Sequence, residues 1–268
     1  MPVAPSVDEN DTHGLAVVNI RSLVLSRGGR PVLDVEALDV GPGVTSLVGP
    51  NGSGKSTLLH AIAGLIEPTR GTMRVFGAEP SAGRRRIAYV LQAQQAPAHL
   101  PVTVREVVAL GRAAQLGAFR RLRRADHEVV RVAIERVELG ALADRHLADL
   151  SGGERQRTFV AQGLAQQADL LLLDEPTAGL DVTSTDQIRR VLADERSAGG
   201  TVIVATHDLG DAARSDHVAL LAGRVVAAGP PGAVLVRANL AAAYGGRLLD
   251  LDGELVLVDD DASHHHGH

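Results

Sequence analysis

The chain has 268 residues, 45% of them hydrophobic, and a formal net charge of −5, and this length suits one large domain or two small ones. The acidic balance, together with two Tyr, three Phe and no Trp, argues against nucleic acid as the main partner, because neither phosphates nor bases would be held well. No Cys is present, which excludes disulfides and thiolate metal sites and favours the cytosol. No apolar run reaches the roughly 18–20 residues of a membrane span, and no signal peptide is expected.

The first third of the chain predicts short strands around a glycine-rich loop. Residues 17–25 and 32–40 alternate loosely between apolar and polar, which is typical of antiparallel strands. Residues 44–48 form a short apolar run, as in a buried strand, and the Leu-rich residues 56–65 follow as a helix. Two further strands are predicted at residues 72–76 and 87–91.

Residues from about 95 to 166 have a different character. Apolar residues recur there at helical spacing over residues 104–116 and 125–137, and no strand is indicated. Strands and helices then alternate, which is typical of a parallel sheet. The elements predicted in this last part are strands at residues 170–173 and 202–205 and helices at residues 185–196 and 209–214. The simplest architecture is an α/β core with an inserted helical subdomain.

The strongest motif follows the predicted strand at residues 44–48 and fits G-x-x-x-x-G-K-[ST]. Its residues are Gly49, Pro50, Asn51, Gly52, Ser53, Gly54, Lys55, Ser56 and Thr57. Lys55 is the only lysine in the chain, and a compact ammonium group reaches β- and γ-phosphate oxygens where a planar guanidinium does not fit. Backbone N–H groups and the helix N-terminus would cradle the phosphates. We predict a nucleoside triphosphate site in which Ser56 binds Mg²⁺ and Thr57 binds the α-phosphate; a glycine-rich helix cap is the alternative.

Two acidic residues follow the most apolar of the predicted strands. Asp174 and Glu175 follow four consecutive Leu, and the carboxyl end of a buried strand opens onto the ligand crevice of such a sheet. Asp174 would hold Mg²⁺ through water, and Glu175 would polarise the attacking water. Because adjacent strand residues point in opposite directions, the two side chains suit separate roles. An acidic helix cap after a core strand is the alternative.

A second pair of glycines opens a predicted helix. Ser151 and Glu154 have the spacing of a capping box, which is sufficient as a structural explanation. Gly152 and Gly153 also leave backbone N–H groups accessible to an anion.

The segment from Leu150 to Gln156 resembles the signature sequence of ABC ATPases, and the resemblance covers residues 15 to about 250 with all motifs in the family's order. It implies a P-loop ABC ATPase core with an antiparallel β subdomain and a helical subdomain at about 95–166, followed by a C-terminal strand and tail over 251–268. It further implies that Gln92 contacts Mg²⁺ and the attacking water, that Asp181 belongs to a loop crossing a dimer interface, and that His207 contacts the γ-phosphate. Taken alone, His207 is better explained as a capping or core histidine, and the other motifs in register favour the functional role.

The resemblance also implies partners. Two ATP molecules would lie between two copies arranged head to tail, with Lys55 on one side and Ser151, Gly152 and Gly153 of the other copy opposite. Residues 100–112, 229–231 and 243–246 are similar to bacterial zinc, manganese and iron importers. The expected protein is therefore an ATPase at the cytoplasmic face of the membrane that powers permease subunits, served by an extracytoplasmic substrate-binding protein. A siderophore importer, an exporter and a soluble non-transport ABC protein remain alternatives.

Two features depart from this pattern. Arg27, before Gly28 and Gly29, stands where family members place an aromatic ring against adenine; it would stack on the base or be a solvated loop residue. The tail carries Asp259–Asp261 and then four His among residues 264–268, which could bind Zn²⁺ or Ni²⁺ or be passive.

Overall fold

The computed structural model describes residues 16–91, 101–116 and 121–245 in full and the backbone of 248–251 and 254–257. Three β-strands form an antiparallel sheet in the order β2-β1-β4, with bounds β1 Val18–Arg27, β2 Arg30–Val40 and β4 Arg70–Val75. β1 and β2 are joined by the two-residue turn Gly28–Gly29, a loop length typical of hairpins. This confirms the predicted antiparallel pair.

A six-stranded sheet forms the centre of the molecule, in the order β5-β6-β7-β3-β8-β9. All neighbouring strands are parallel except β8 and β9. The strands are β3 Gly43–Val48, β5 Ile87–Val90, β6 Leu170–Asp174, β7 Thr201–Thr206, β8 His217–Leu221 and β9 Val225–Gly229. Because β6, β7 and β3 are adjacent, the segments that follow their carboxyl ends meet at one edge of the sheet.

Helices cover both faces of this sheet. They are α1 Lys55–Ile62, α2 Val104–Leu116, α3 Arg124–Arg136, α4 Gly152–Ala165, α5 Val182–Ser197, α6 Leu209–Ala212, α7 Pro231–Val234 and α8 Arg237–Tyr244. One apolar cluster joins α1 to the antiparallel sheet, and a second joins α2, α3 and α4 to the opposite face of the central sheet. A small two-stranded sheet, β10 Leu248–Leu251 and β11 Glu254–Leu257, ends the described chain.

The helical part is held by a buried ion pair as well as by apolar packing. Arg112 in α2 donates to Asp126 in α3 at 2.8 Å and to Gln167, just beyond α4, at 3.0 Å. Hydrogen bonds from the backbone N–H of Arg123 and from Arg112 lower the pKa of Asp126, so this carboxylate stays ionised at neutral pH. The pair therefore fixes the relative placement of three helices.

Several predicted bounds were wrong. α1 ends at Ile62 rather than residue 65, and Gly64 follows with a φ of 69° that breaks the helix. β4 ends at Val75, because Phe76 has a φ of 52° and leaves the strand. The helix predicted at 209–214 is the short α6. The sequence patterns did not indicate β8 and β9.

Candidate functional site

The glycine loop connects β3 to α1 and is shaped by close backbone contacts. Gly49 has a φ of 156°, and a Cβ placed on it would lie 2.1 Å from the carbonyl oxygen of Leu221 in β8. Only glycine fits there. The Oγ of Ser53 is buried without a hydrogen-bond partner among the described residues, and such a donor is expected to meet a partner when a ligand binds.

Lys55 begins α1 and is almost fully buried, with 5% of its surface exposed. Its Nζ donates to the carbonyl oxygens of Gly49 at 2.7 Å and Pro50 at 3.2 Å, and lies 4.0 Å from Oε1 of Glu175. Burial lowers the pKa of Lys55, and the charges of Glu175 and Asp174 oppose that shift. A partly desolvated cation enclosed by a backbone loop is suited to attract phosphate oxygens.

Asp174, the last residue of β6, lies next to the start of α1. Its Oδ1 accepts a hydrogen bond from Ser56 Oγ at 3.0 Å, and its Oδ2 accepts one from Tyr89 Oη at 3.2 Å. Burial raises the pKa of Tyr89, so the phenol remains a donor. Tyr89 was missed by sequence reasoning, because its contact with Asp174 depends on the pairing of β5 with β6.

Glu175 and His207 follow neighbouring strands and face each other. Nδ1 of His207, directly after β7, is 3.7 Å from Oε2 of Glu175. The two residues line a polar cavity of about 180 Å³ together with the loop after β6. The structure thus brings together five residues that separate sequence motifs had singled out, namely Lys55, Ser56, Asp174, Glu175 and His207.

The prediction that Asp174 and Glu175 point in opposite directions assumed that both lie in the strand, but β6 ends at Asp174. Glu175 has a φ of 46°, so the chain leaves the extended conformation immediately after Asp174. Both carboxylates therefore act on Lys55, and the charge of each raises its pKa. A non-glycine residue in this conformation is strained, and such strain is typical of functional sites.

The second glycine element begins α4. The Oγ of Ser151 accepts a hydrogen bond from Glu154 N at 3.2 Å, and Glu154 Oε2 accepts one from Ser151 N at 2.8 Å, which confirms the capping box. The two glycines differ. Gly152 is exposed, and a Cβ added to it would have nothing within 4 Å, whereas a Cβ on Gly153 would lie 2.1 Å from Ser184 Oγ in α5.

This difference predicts unequal effects of alanine substitution on stability. Gly153→Ala should lower the free energy of unfolding by about 1–3 kcal/mol, because the methyl group pushes Ser184 away from the start of α5. Gly152→Ala should change it by less than about 0.5 kcal/mol, since no atom meets the added methyl group. Urea unfolding followed by circular dichroism compares the two variants. Equal stability of both variants would contradict the packing role of Gly153.

The remaining predicted residues lie as follows. Asp181 is the N-cap of α5. Its carboxylate accepts hydrogen bonds from Ser184 N at 2.9 Å and from Ser184 Oγ at 2.8 Å. The bond from the backbone N–H of Ser184 is the main cause that lowers the pKa of Asp181. Arg27 is exposed at the β1–β2 turn. Thr57 is buried in α1. Gln92 and the Asp/His-rich tail lie outside the described residues.

The family model for the ABC transporter matches residues 37–178, more than half of the chain. The chain therefore belongs to the ABC transporter family. Within that family it is an ATP-binding and ATP-hydrolysing subunit, and it works with partners in the membrane. Across the described residues, none of the helices has the length and apolar character needed to span a bilayer.

Three similar proteins illustrate the relationship. The zinc transport system ATP-binding protein TroB of Treponema pallidum is 40% identical over 86% of this chain and 88% of its own. The hemin import ATP-binding protein HmuV of Streptomyces coelicolor is 43% identical over 81% of this chain and 79% of its own. The structure of cbiO1 from Clostridium perfringens, part of the ABC transporter complex cbiONQ, has a TM-score of 0.72 at 26% identity and covers 85% of this chain and 94% of that one.

Proposed function

We propose that this ATPase drives the uptake of a metal ion through a separate membrane permease. The proposed ATP hydrolysis rests on one observation above all. Lys55 and Glu175, which follow the carboxyl ends of β3 and β6, lie close together, with 4.0 Å between Nζ and Oε1. The cargo follows from the functions of similar proteins, because a zinc transport subunit is 40% identical over 86% of this chain.

In the proposed binding mode, the loop from Gly49 to Thr57 wraps the phosphates of ATP. Lys55 exchanges its bonds with the carbonyls of Gly49 and Pro50 for the β- and γ-phosphate oxygens. Backbone N–H groups of the loop and the N-terminus of α1 add further positive potential. We expect Ser53, whose buried Oγ has no partner among the described residues, to donate to the phosphates as well.

Ser56 and Asp174 would hold Mg²⁺, and Gln92 is proposed as a further ligand. The donors fit the ion, since Ser56 Oγ and Asp174 Oδ1 are 3.0 Å apart and Mg²⁺ prefers oxygen ligands. Such an ion keeps several waters and is held mainly by one or two protein ligands and the substrate phosphates. When bound, Mg²⁺ would neutralise phosphate charge.

Glu175 would orient and polarise the attacking water, and His207 would contact the γ-phosphate. Their side chains are 3.7 Å apart and line one cavity, which would receive the end of the phosphate chain. Catalysis in this arrangement would consist of positioning and charge stabilisation, as in phosphoryl transfer generally. Water exclusion would strengthen each of these interactions.

A second copy, arranged head to tail, would complete the site. In this proposal Ser151, Gly152 and Gly153 of the other copy face the γ-phosphate, and the loop with Asp181 lies at the interface. Gly152 supports this role, because it is exposed in the first turn of α4 and a helix N-terminus attracts anions. Val182, next to Asp181, is 77% exposed, so this loop is accessible to a second copy.

The helical segment at about 95–166 would contact the permease at the cytoplasmic face of the membrane. Leu91 and Leu110 are large apolar residues with 42% and 57% of their surface exposed, and they line one groove with Phe159. An exposed apolar groove of this kind is typical of a protein contact. An extracytoplasmic binding protein would deliver the cargo.

Transport in proteoliposomes tests this function. The complete complex of this ATPase, its permease and the binding protein should accumulate Zn²⁺ or Mn²⁺ only when ATP is supplied on the ATPase side. Accumulation of hemin instead would support the second candidate, a chelate importer, which the 43% identity to a hemin import subunit favours. ATP-dependent release of preloaded metal would contradict uptake.

Base selectivity should be weak if Arg27 replaces the adenine-stacking ring. We expect GTP to support hydrolysis within roughly tenfold of ATP, which corresponds to about 1.4 kcal/mol of lost stacking. Arg27→Tyr should tighten ATP binding, and Arg30→Tyr, across the same turn, is the matched control. Nucleotide titration measures both variants; unchanged ATP and GTP affinity in Arg27→Tyr would place Arg27 in solvent.

A further inference from the structure

Asp211, in the short helix α6, links this helix to the loop after β6 and to α5, and it bonds to the N-cap residue of its own helix. Its Oδ2 accepts from Thr177 Oγ1 at 3.2 Å, and its Oδ1 accepts from Arg189 Nε at 2.6 Å. Its backbone N–H donates to Asp208 Oδ1 at 2.9 Å. The Asp211 side chain is 15% exposed, so its two carboxylate contacts are partly shielded from solvent.

These bonds connect the two loops that carry Glu175 and His207. Thr177 lies two residues after Glu175, and Asp208 directly follows His207. Asp211 also lines the same polar cavity of about 180 Å³ as Glu175 and His207. Asp211 therefore joins both loops next to the paired side chains: its carboxylate accepts from the Thr177 side chain, and its backbone N–H donates to the Asp208 side chain.

The backbone of Glu175 is strained, and hydrogen bonds on either side of it hold this conformation. Its φ of 46° is unfavourable for a residue with a side chain. On the N-terminal side, Glu175 N donates to the carbonyl oxygen of Ala205 at 2.9 Å, which extends the pairing of β6 with β7. On the C-terminal side, the bond from Thr177 to Asp211 provides the corresponding restraint.

Arg189 fixes the Asp211 carboxylate to a longer helix. It lies in α5, the 16-residue helix Val182–Ser197, and also donates to Asp186 Oδ1 at 3.1 Å. The Asp186 side chain is 53% exposed and lies on the same helix. Asp186 therefore shares the cation with Asp211 and offers a matched control.

We propose that Asp211 is a positioning residue that sets the placement of Glu175 relative to His207. It acts through Thr177 and Asp208 and does not contact nucleotide itself. The inference rests on the proposed roles of Glu175 and His207. A shift of about 1 Å in a catalytic group is enough to lower the rate by roughly 100-fold, so loss of the tie should affect turnover and leave nucleotide binding, which depends on the glycine loop, unchanged.

Steady-state ATPase kinetics of the complete transporter test this proposal with Asp211→Ala and Thr177→Val. Each variant should lower kcat by about 10- to 100-fold and leave KM for ATP within about twofold. Thr177→Val keeps the branched shape of the side chain and removes only the donor. The double variant should be no slower than Asp211→Ala alone, because both substitutions remove the same bond. Asp186→Ala, the control, should keep kcat within about twofold.

The outcomes separate this inference from the proposed function. A wild-type complex without ATPase activity would contradict the proposed function. An active wild type with Asp211→Ala and Thr177→Val both within twofold of its kcat would overturn the inference. So would a rise in KM in proportion to the loss of kcat, or an equal loss in Asp186→Ala, since either indicates a general structural effect. If Asp211→Ala does not fold, Thr177→Val decides by the same criteria.

Discussion

Lys55→Ala is expected to abolish ATP binding at concentrations that saturate the wild type. The substitution removes the buried ammonium group of the glycine loop, which is 5% exposed. Charge-assisted hydrogen bonds contribute about 1.5–3 kcal/mol each, so loss of two phosphate contacts should weaken binding by roughly 10²- to 10⁴-fold. Titration with a fluorescent ATP analogue measures the change.

Two further variants make this result specific. Lys55→Arg keeps the charge, yet it should also bind poorly, because the planar guanidinium is larger than the enclosed ammonium group. Arg70→Ala removes one positive charge from an exposed position in β4 and should leave affinity within about twofold. Equal affinity of wild type and Lys55→Ala would contradict the phosphate-binding role of the loop. Circular dichroism should show that all three variants are folded.

The central strands and the glycine loop could be predicted because their signals are local. The apolar runs before Gly49 and Asp174 match buried parallel strands, and the loop motif specifies a phosphate site by itself. By contrast, β8 and β9 are five residues each, and periodicity alone does not distinguish a short apolar strand from a buried helix segment. Helix ends depended on backbone conformation at single residues such as Gly64.

The site residues were predicted better than the contacts between them. Lys55, Asp174, Glu175 and His207 were found from motifs, but their mutual arrangement depends on pairing between strands distant in the chain. The bond from Tyr89 to Asp174 spans 85 positions and that from Thr177 to Asp211 spans 34. Such contacts follow from strand order, which no local pattern encodes.

Gly153 illustrates a residue with two explanations. The sequence favoured anion binding by a pair of glycines, and the structure adds a packing reason for one of them, because α5 lies against Gly153 and not against Gly152. A loss of activity in Gly153→Ala would therefore report on packing as well as on nucleotide. Gly152 is the cleaner position at which to test the contact with a second copy.

Glu175→Gln should abolish steady-state ATP hydrolysis and preserve ATP binding. The amide has nearly the same shape but cannot accept a proton from water, and loss of such a group typically lowers the rate by about 10²- to 10⁴-fold. Binding should be equal or tighter, because the carboxylate near Lys55, with Oε1 4.0 Å from Nζ, would repel the phosphates.

The variant should accumulate as an ATP-bound dimer, which size-exclusion chromatography with and without ATP detects. The matched control is Glu36→Gln, which changes an exposed carboxylate on β2 and should keep full activity. Glu154→Gln would be unsuitable, because it changes the capping box of α4. A Glu175→Gln variant with wild-type turnover would remove Glu175 from the mechanism, and one that loses binding together with turnover would show that the carboxylate supports the site structurally instead.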